Sequence, residues 1–438
     1  MAEQKSYKKR GINNHAFKPE SLMMSYGYDP KLSENSVKPP IFLTSTFVFN
    51  SAEEGEEFFH VSAGRKPAPA DSVGGLVYSR FNHPNAEIIE DRLALLEGAE
   101  SAIVFSSGMG AISAVLMAYL RPGDVVVHST PLYGGTETLI RKFMPEFGIE
   151  TQDFADGLSE APILEALQAG AKKGRVKMVF LETPANPTNA IINFEALVSA
   201  VDKIEKETGH RPLIVCDNTM LGPVFQRAVP HGIDIALYSL TKYVGGHSDL
   251  VAGAICGARE TLKPVRQIRS SMGLNLDPHT SWMISRSLET LTIRMERGAA
   301  SALKVAQWIK DNPYCKAKVL HAAFIDNAQY QEVRKRQTTG DGSTFAFVLE
   351  AEKPKVFKLL NSLSLFKLAV SLGGSESLVC HPASTTHSGV PKEMRDKVGV
   401  TDGLVRLSIG LEHPDDLIAD LENAFKSAFG SAKKSHAA

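Results

Sequence analysis

Between residues 74 and 280, short apolar runs alternate with helical stretches, and this alternation limits what the chain can fold into more than any other feature. The runs fall at residues 102–105, 125–127, 178–181, 213–216, 235–238 and 252–256, with helical periodicity at residues 86–96, 111–120 and 163–169. Such short runs suit strands buried on both faces. Strand-helix alternation then predicts the α/β class, a mainly parallel, doubly wound sheet with helices on both sides. These sheets bind ligands beyond the carboxyl ends of their strands. Polar residues just after the runs are therefore the first candidates for chemistry.

One run ends in Ser239-Leu240-Thr241-Lys242-Tyr243. A lysine amine is a nucleophile only after it loses its proton, and a Schiff base with an aldehyde cofactor needs that amine desolvated beside hydrogen-bonding and anionic partners. Lys242 fits such a role for pyridoxal phosphate, with the Ser239 and Thr241 hydroxyls facing a phosphate. Upstream, Asp217 closes the run 213–216. Pyridoxal phosphate acts as an electron sink while its ring nitrogen stays protonated, and a buried carboxylate holds that proton. In Ser106-Ser107-Gly108-Met109-Gly110, the amides of Gly108 and Met109 open a helix, where donors and the helix dipole favour an anion and glycine lets it approach. Tyr133 can stack on the ring and trade protons with a leaving group. Asn186, on the Pro-rich loop after the run 178–181, sits at the same strand-end level to hold the ring's phenolate oxygen. Taken singly, each has a plainer reading: a solvated lysine, a turn former, a tightly packed turn, a half-buried tyrosine.

In this order the segments resemble the Cys/Met-metabolism pyridoxal phosphate enzymes. This is the group of cystathionine gamma-synthase, cystathionine gamma-lyase, methionine gamma-lyase and O-acylhomoserine sulfhydrylase. The resemblance runs from about Pro40 to the end and includes residues 40–47, Tyr78-Ser79-Arg80, residues 243–249, 381–387 and 404–412. It implies a fold-type I transferase with a smaller α+β carboxyl-terminal unit, with Lys242, Tyr133 and Asp217 as catalytic residues. Gly108, Met109, Ser239, Thr241 and Asn186 would bind the cofactor from within one subunit. Tyr78 and Arg80 would reach the phosphate of a neighbouring subunit, in a homotetramer built as a dimer of dimers with shared sites. Arg406 would grip the substrate carboxylate, with Ser371 and Asn186 beside it. Enzymes of the group that handle cystathionine typically place a glutamate just before the Ser-Leu-Gly-Gly turn; here the residue is Val370. An apolar wall disfavours a second charged end, because an unpaired ammonium is costly to desolvate. The pattern therefore points toward methionine gamma-lyase chemistry: gamma-elimination from L-methionine or a related short substrate, giving 2-oxobutanoate, ammonia and a thiol. Replacement on O-acylhomoserine, of the sulfhydrylase or cystathionine gamma-synthase type, is the alternative.

Two departures stand out. Gly135 occupies a position where many methionine gamma-lyases carry cysteine, and the stretch 59–77 is longer than the usual connection before the Tyr-x-Arg pair. An aminotransferase reading is disfavoured because Gly245-Gly246-His247-Ser248-Asp249, without an arginine, trails Lys242. A non-catalytic cofactor-binding protein would be expected to lack a reacting group, yet Lys242, Tyr133 and Arg406 are all present.

The 438 residues supply core for two packed units, read as a cofactor-binding unit (74–282) and a carboxyl-terminal α+β unit (283–438), preceded by an irregular arm (1–73) that would wrap a partner subunit. A net charge of -1 with no basic stripe argues against nucleic acid as partner and leaves a small amino acid. No apolar run approaches the ~20 residues of a membrane helix. Lys5, Lys8, Lys9 and Arg10 are not followed by an apolar core, so no secretory signal is expected. Cys216, Cys256, Cys315 and Cys380 are scattered, which suits buried thiols of a reducing compartment, the cytoplasm, rather than a disulfide framework or zinc. His381 and His387 lack ligand partners at metal spacing, so no metal is expected. Residues 427–438 read as a disordered tail.

Overall fold

The computed structural model describes residues 7–62, 65–67 and 75–430. At the amino end β1 (Gly11–Ile12) and β2 (His15–Ala16) form a small antiparallel pair. A helix, Ala52–Ser62, follows where the sequence reads as irregular. Its signal is a cap and not periodicity: Ser51 Oγ accepts from the Glu54 amide at 3.2 Å, and Glu54 Oε2 reaches back to the Asn50 amide at 2.5 Å. Much of the long connection 59–77 lies outside the described residues.

Seven strands make the large sheet: β3 (Ser101–Phe105), β4 (Asp124–Ser129), β5 (Glu150–Phe154), β6 (Arg175–Glu182), β7 (Leu213–Asp217), β8 (Ile235–Ser239) and β9 (Gly253–Gly257). Their order is β3-β9-β8-β7-β6-β4-β5. Every pairing is parallel except those of β9, which runs antiparallel to β3 and β8. The sequence does not announce β5, because Glu150-Thr151-Gln152-Asp153 is a polar edge with β4 as its sole neighbour and only Phe154 buried.

Alternation of side chains divides this sheet between two helical layers. Ile103, Val126, Phe180, Val215 and Leu237 pack with Ala111, Ile112 and Val115 of helix Gly108–Tyr119 and with Val265 of helix Arg259–Met272. Val104, Val125, Val127, Leu181 and Cys216 pack on the other face, against Leu93, Ile163, Leu167, Leu197 and Val201 of three more helices. Burial on both faces is why the strands are continuous apolar runs. The same period carries Glu182, Asp217 and Ser239, each two residues beyond a core residue of the first face, toward the start of helix Gly108–Tyr119.

The second sheet joins β10 (Ala317–Leu320), β11 (Thr344–Leu349), β12 (Lys367–Leu368), β13 (Leu378–Cys380) and β14 (Leu404–Ser408) in the order β10-β11-β14-β13-β12. Only β12 and β13 pair in parallel. Phe345, Phe347, Val405 and Leu407 pack on Val356, Leu359, Leu417, Leu421 and Phe425 of the covering helices. Arg406, between Val405 and Leu407, is thereby turned to the opposite face. Helix Leu291–Asp311 belongs to both cores: Leu291 and Met295 pack in the first, and Ala302, Val305, Ala306 and Ile309 in the second. The carboxyl-terminal helix, Pro414–Phe429, runs past the point where the sequence suggests a tail, because Phe425 and Ala428 are core residues. The remainder of that stretch, 431–438, lies outside the described residues. No described helix is long and apolar enough to cross a membrane.

Candidate active site

A cavity of about 220 Å³ opens at the carboxyl ends of β6, β7 and β8. It brings together Gly108, Met109, Tyr133, Asn186, Asp217, Ser239, Thr241 and Lys242, eight of the residues singled out in the sequence. Ser107 caps helix Gly108–Tyr119 by accepting from the Gly110 amide at 2.9 Å, so the helix start is fixed at the cavity edge. A side chain at Gly108 would stand 3.1 Å from Ser239 Cβ, tighter than ordinary packing, so glycine is what lets the helix start and the end of β8 close on the same space.

Lys242 projects into the cavity and donates to Ser371 Oγ at 3.1 Å. Burial, reinforced by the Arg406 charge and opposed by Asp217, holds its ammonium below the usual lysine range. The neutral amine is thus more accessible here than in water. Burial likewise pushes the Asp217 carboxyl up, against hydrogen bonds from the Thr219 amide at 3.1 Å and hydroxyl at 2.6 Å. Both of these reach Oδ1. No described protein group donates to Oδ2, which leaves a buried carboxylate with an open place for a cation. The Thr219 hydroxyl also accepts from the Ser239 amide at 2.8 Å, which ties β7 to β8. Thr219 was not anticipated, because its part arises from a bond between two strand ends and not from its position in a motif.

Arg406 is 2% exposed. Its Nη1 donates to Asn186 Oδ1 at 3.1 Å, and its Nη2 donates to the carbonyls of Val370 and Ser371, each at 2.8 Å. Its Nε is buried without a protein partner among the described residues. Val370 reaches the guanidinium through its carbonyl, whereas its side chain is 57% exposed and does not line the cavity. Tyr133 is 42% exposed at the cavity edge. A side chain at Gly135 would stand 2.7 Å from its ring.

Tyr78 and Arg80 lie outside their own chain's cavity. Tyr78 bridges Thr46 and is 40% exposed, and Arg80 Nη1 donates to the Ser270 carbonyl at 2.6 Å with its guanidinium over the Phe81 ring at 4.6 Å. His381 is held by Ser384 Oγ and the Asp402 carbonyl, each at 2.8 Å. His387 Nε2 is buried without a protein partner among the described residues.

Residues 20–426 match the family described as Cys/Met metabolism PLP-dependent enzyme. The chain belongs to that family. An L-methionine gamma-lyase of Fusobacterium nucleatum subsp. polymorphum is 37% identical to it over 421 residues, 96% of this chain and 99% of the relative. Cystathionine gamma-lyase of Homo sapiens is 36% identical over 405 residues, 92% of either chain. The crystal structure of cystathionine gamma synthase from Xanthomonas oryzae pv. oryzae superposes with a TM-score of 0.82 at 30% identity, covering 94% of this chain and 98% of that one. The fold is accordingly that of the fold-type I enzymes. This Cys/Met metabolism enzyme depends on pyridoxal phosphate and is of the carbon-sulfur lyase kind or the related transferase kind. The cavity fits the cofactor on its own chemistry. It offers a buried amine for the aldehyde, a carboxylate with an open oxygen for a protonated ring nitrogen, and a glycine-edged helix start beside two hydroxyls for the phosphate.

Proposed function

We propose that the enzyme catalyses gamma-elimination from L-methionine or a related short sulfur amino acid, converting substrate and water to 2-oxobutanoate, ammonia and a thiol. The observation that carries this reading is the distribution of charge around the cavity. Among the described residues its only lining carboxylates are Glu182 and Asp217, both buried, while Ile112, Met220, Val251 and Leu372 supply apolar surface. Among the described residues no lining carboxylate is left to answer a second ammonium; the apolar wall expected of Val370 comes instead from these four side chains, since the Val370 side chain stands outside the cavity. A methyl thioether suits such a wall; the long zwitterionic arm of cystathionine does not.

When bound, pyridoxal phosphate supplies the electron sink for the bond-breaking at the substrate's alpha carbon. The chain's residues do the rest. Lys242 Nζ holds the aldehyde and then carries protons between the alpha, beta and gamma positions, a task its lowered basicity favours. Asp217 keeps the ring nitrogen protonated, Asn186 holds the ring oxygen, and Tyr133 stacks and gives a proton to the departing thiolate. Gly108, Met109, Ser239 and Thr241 hold the phosphate. Arg406 seats the substrate carboxylate, with Ser371 beside it.

Replacement on O-acylhomoserine is the second reading, favoured by Gly135, which leaves the Tyr133 ring where a side chain at that position would stand. Rates measured side by side with L-methionine, with O-acetylhomoserine in the presence and absence of sulfide, and with L-cystathionine separate the two. Ketoacid from methionine without an added nucleophile is the expected result. Cystathionine emerging as much the best substrate would sink the reading.

The assembly proposed is a cytoplasmic homotetramer, a dimer of dimers in which Tyr78 and Arg80 complete the phosphate site of the neighbouring subunit. It is supported by their place outside their own cavity and by apolar side chains exposed along the arm, among them Leu32, Leu43 and Val48. The free thiols of Cys216, Cys256 and Cys380, all buried, suit the cytoplasm. Inactive Arg80→Ala and inactive Lys242→Ala subunits, mixed in equal amounts, are expected to restore roughly a quarter of the native sites if exchange between symmetric partners is random. Verified mixed oligomers with no recovered activity would count against shared sites.

A further inference from the structure

Glu182, the last residue of β6, pairs in register with Asp217 at the end of β7, so two carboxyl groups stand side by side in a buried place. Among the described residues no lysine or arginine forms an ion pair with Glu182. Burial first, and Asp217 second, push its carboxyl up to about 8. An acid in such surroundings is a burden on the fold unless its oxygens are used. Here both are used by backbone donors from two different loops: the Tyr133 amide donates to Oε2 at 2.6 Å and the Asn186 amide to Oε1 at 2.9 Å. The Glu182 amide in turn donates to Ser129 Oγ at 3.1 Å, at the end of β4. One residue thus joins the loop that carries the ring-stacking tyrosine, the loop that carries the oxygen-holding asparagine, and the strand beside Asp217. Asn186 is further bonded to Arg406, so the link extends to the group assigned to the substrate carboxylate.

We propose that Glu182 is a further positioning residue of the reaction, whose single carboxyl fixes the Tyr133 and Asn186 loops relative to Asp217 and so orients the cofactor ring. This deepens the function proposed above and rests on its assignment of Tyr133 and Asn186. In a Glu182→Gln side chain one acceptor oxygen remains and the other becomes an NH₂ group facing an amide donor, so one of the two loops is released with almost no change of volume.

The test uses holoenzyme of the parent and of Glu182→Gln and Glu182→Asp. It compares the visible circular dichroism of bound pyridoxal phosphate, borohydride trapping at Lys242, melting temperature, and kcat and KM. Glu182→Gln is expected to trap the cofactor at Lys242 as the parent does. It should lose more than half of the visible dichroism and lower kcat on the order of tenfold or more, because a misplaced ring is felt mainly in the reacting step. KM should move much less. Glu182→Asp, which keeps both acceptor oxygens on a shorter stem, should recover part of the dichroism and of kcat, and it stands in as the test if Glu182→Gln is too unstable to purify. Parent-like dichroism in the Gln variant overturns the proposal. So does a loss of kcat that follows lost cofactor or a lowered melting temperature instead of altered dichroism. Dichroism and trapping do not depend on the choice of substrate, so a parent enzyme inactive on methionine would refute the proposed reaction while leaving the role of Glu182 open to these two readouts.

Discussion

Lys242→Ala removes turnover and leaves the fold intact. The amine has one described hydrogen-bond partner, Ser371 Oγ, and sits in a cavity that the surrounding strand ends build without it, so melting of the cofactor-free variant should stay close to that of the parent. The chemistry has no substitute. Among the described residues lining the cavity, Lys242 is the sole amine, and burial beside Arg406 is what shifts it toward the neutral, reactive form. A positioned proton carrier contributes about 10² to 10⁴ in rate. Because the same nitrogen also holds the aldehyde, the loss should reach at least the upper end of that range, about 10⁴-fold in kcat. Borohydride reduction of the parent followed by peptide mapping should place the cofactor on the Lys242 peptide and on no peptide of the variant. Reduced cofactor on a different lysine would overturn the assignment.

Arg406→Ala should cost about 10³-fold in kcat/KM, corresponding to roughly 4 kcal/mol for removing one member of a buried charge-assisted set. The guanidinium satisfies the Val370 and Ser371 carbonyls and Asn186 Oδ1, and its Nε remains as a donor for a substrate carboxylate. Arg406→Lys keeps the charge and loses the fork, so it should fall between the parent and the Ala variant. Cofactor trapping at Lys242 should survive both changes. An Arg406→Ala enzyme with parent-like KM for methionine would rule out the carboxylate role.

The large sheet was legible because its strands are buried on both faces and so read as unbroken apolar runs; the polar edge strand β5 escaped for the opposite reason. Helix Ala52–Ser62 escaped because its start is marked by hydrogen bonds at Ser51 and Glu54 rather than by an apolar stripe. At the site, Lys242, Asp217 and Asn186 were legible because strand ends are where such folds place polar side chains. Thr219 and Glu182 were not, since each acts through a bond to a segment distant in the chain. Val370 marks a further limit: the sequence names the residue beside Ser371, yet only the folded backbone decides that its carbonyl, and not its side chain, turns toward Arg406.

The helix Leu291–Asp311 gives this architecture an indivisible character. Its opening turns are side chains of one core and its closing turns of the other, and between Met295 and Ala302 the helix runs on unbroken, with Gly298 and Ser301 buried while Glu296 and Arg297 face solvent. A cut or an insertion there would strip apolar surface from both halves at once, unlike the exposed linkers at which modular proteins are usually divided. The lysine just past the end of β8 and the arginine on β14 are therefore carried by two cores that share one beam, so a change that bends this helix would shift one against the other.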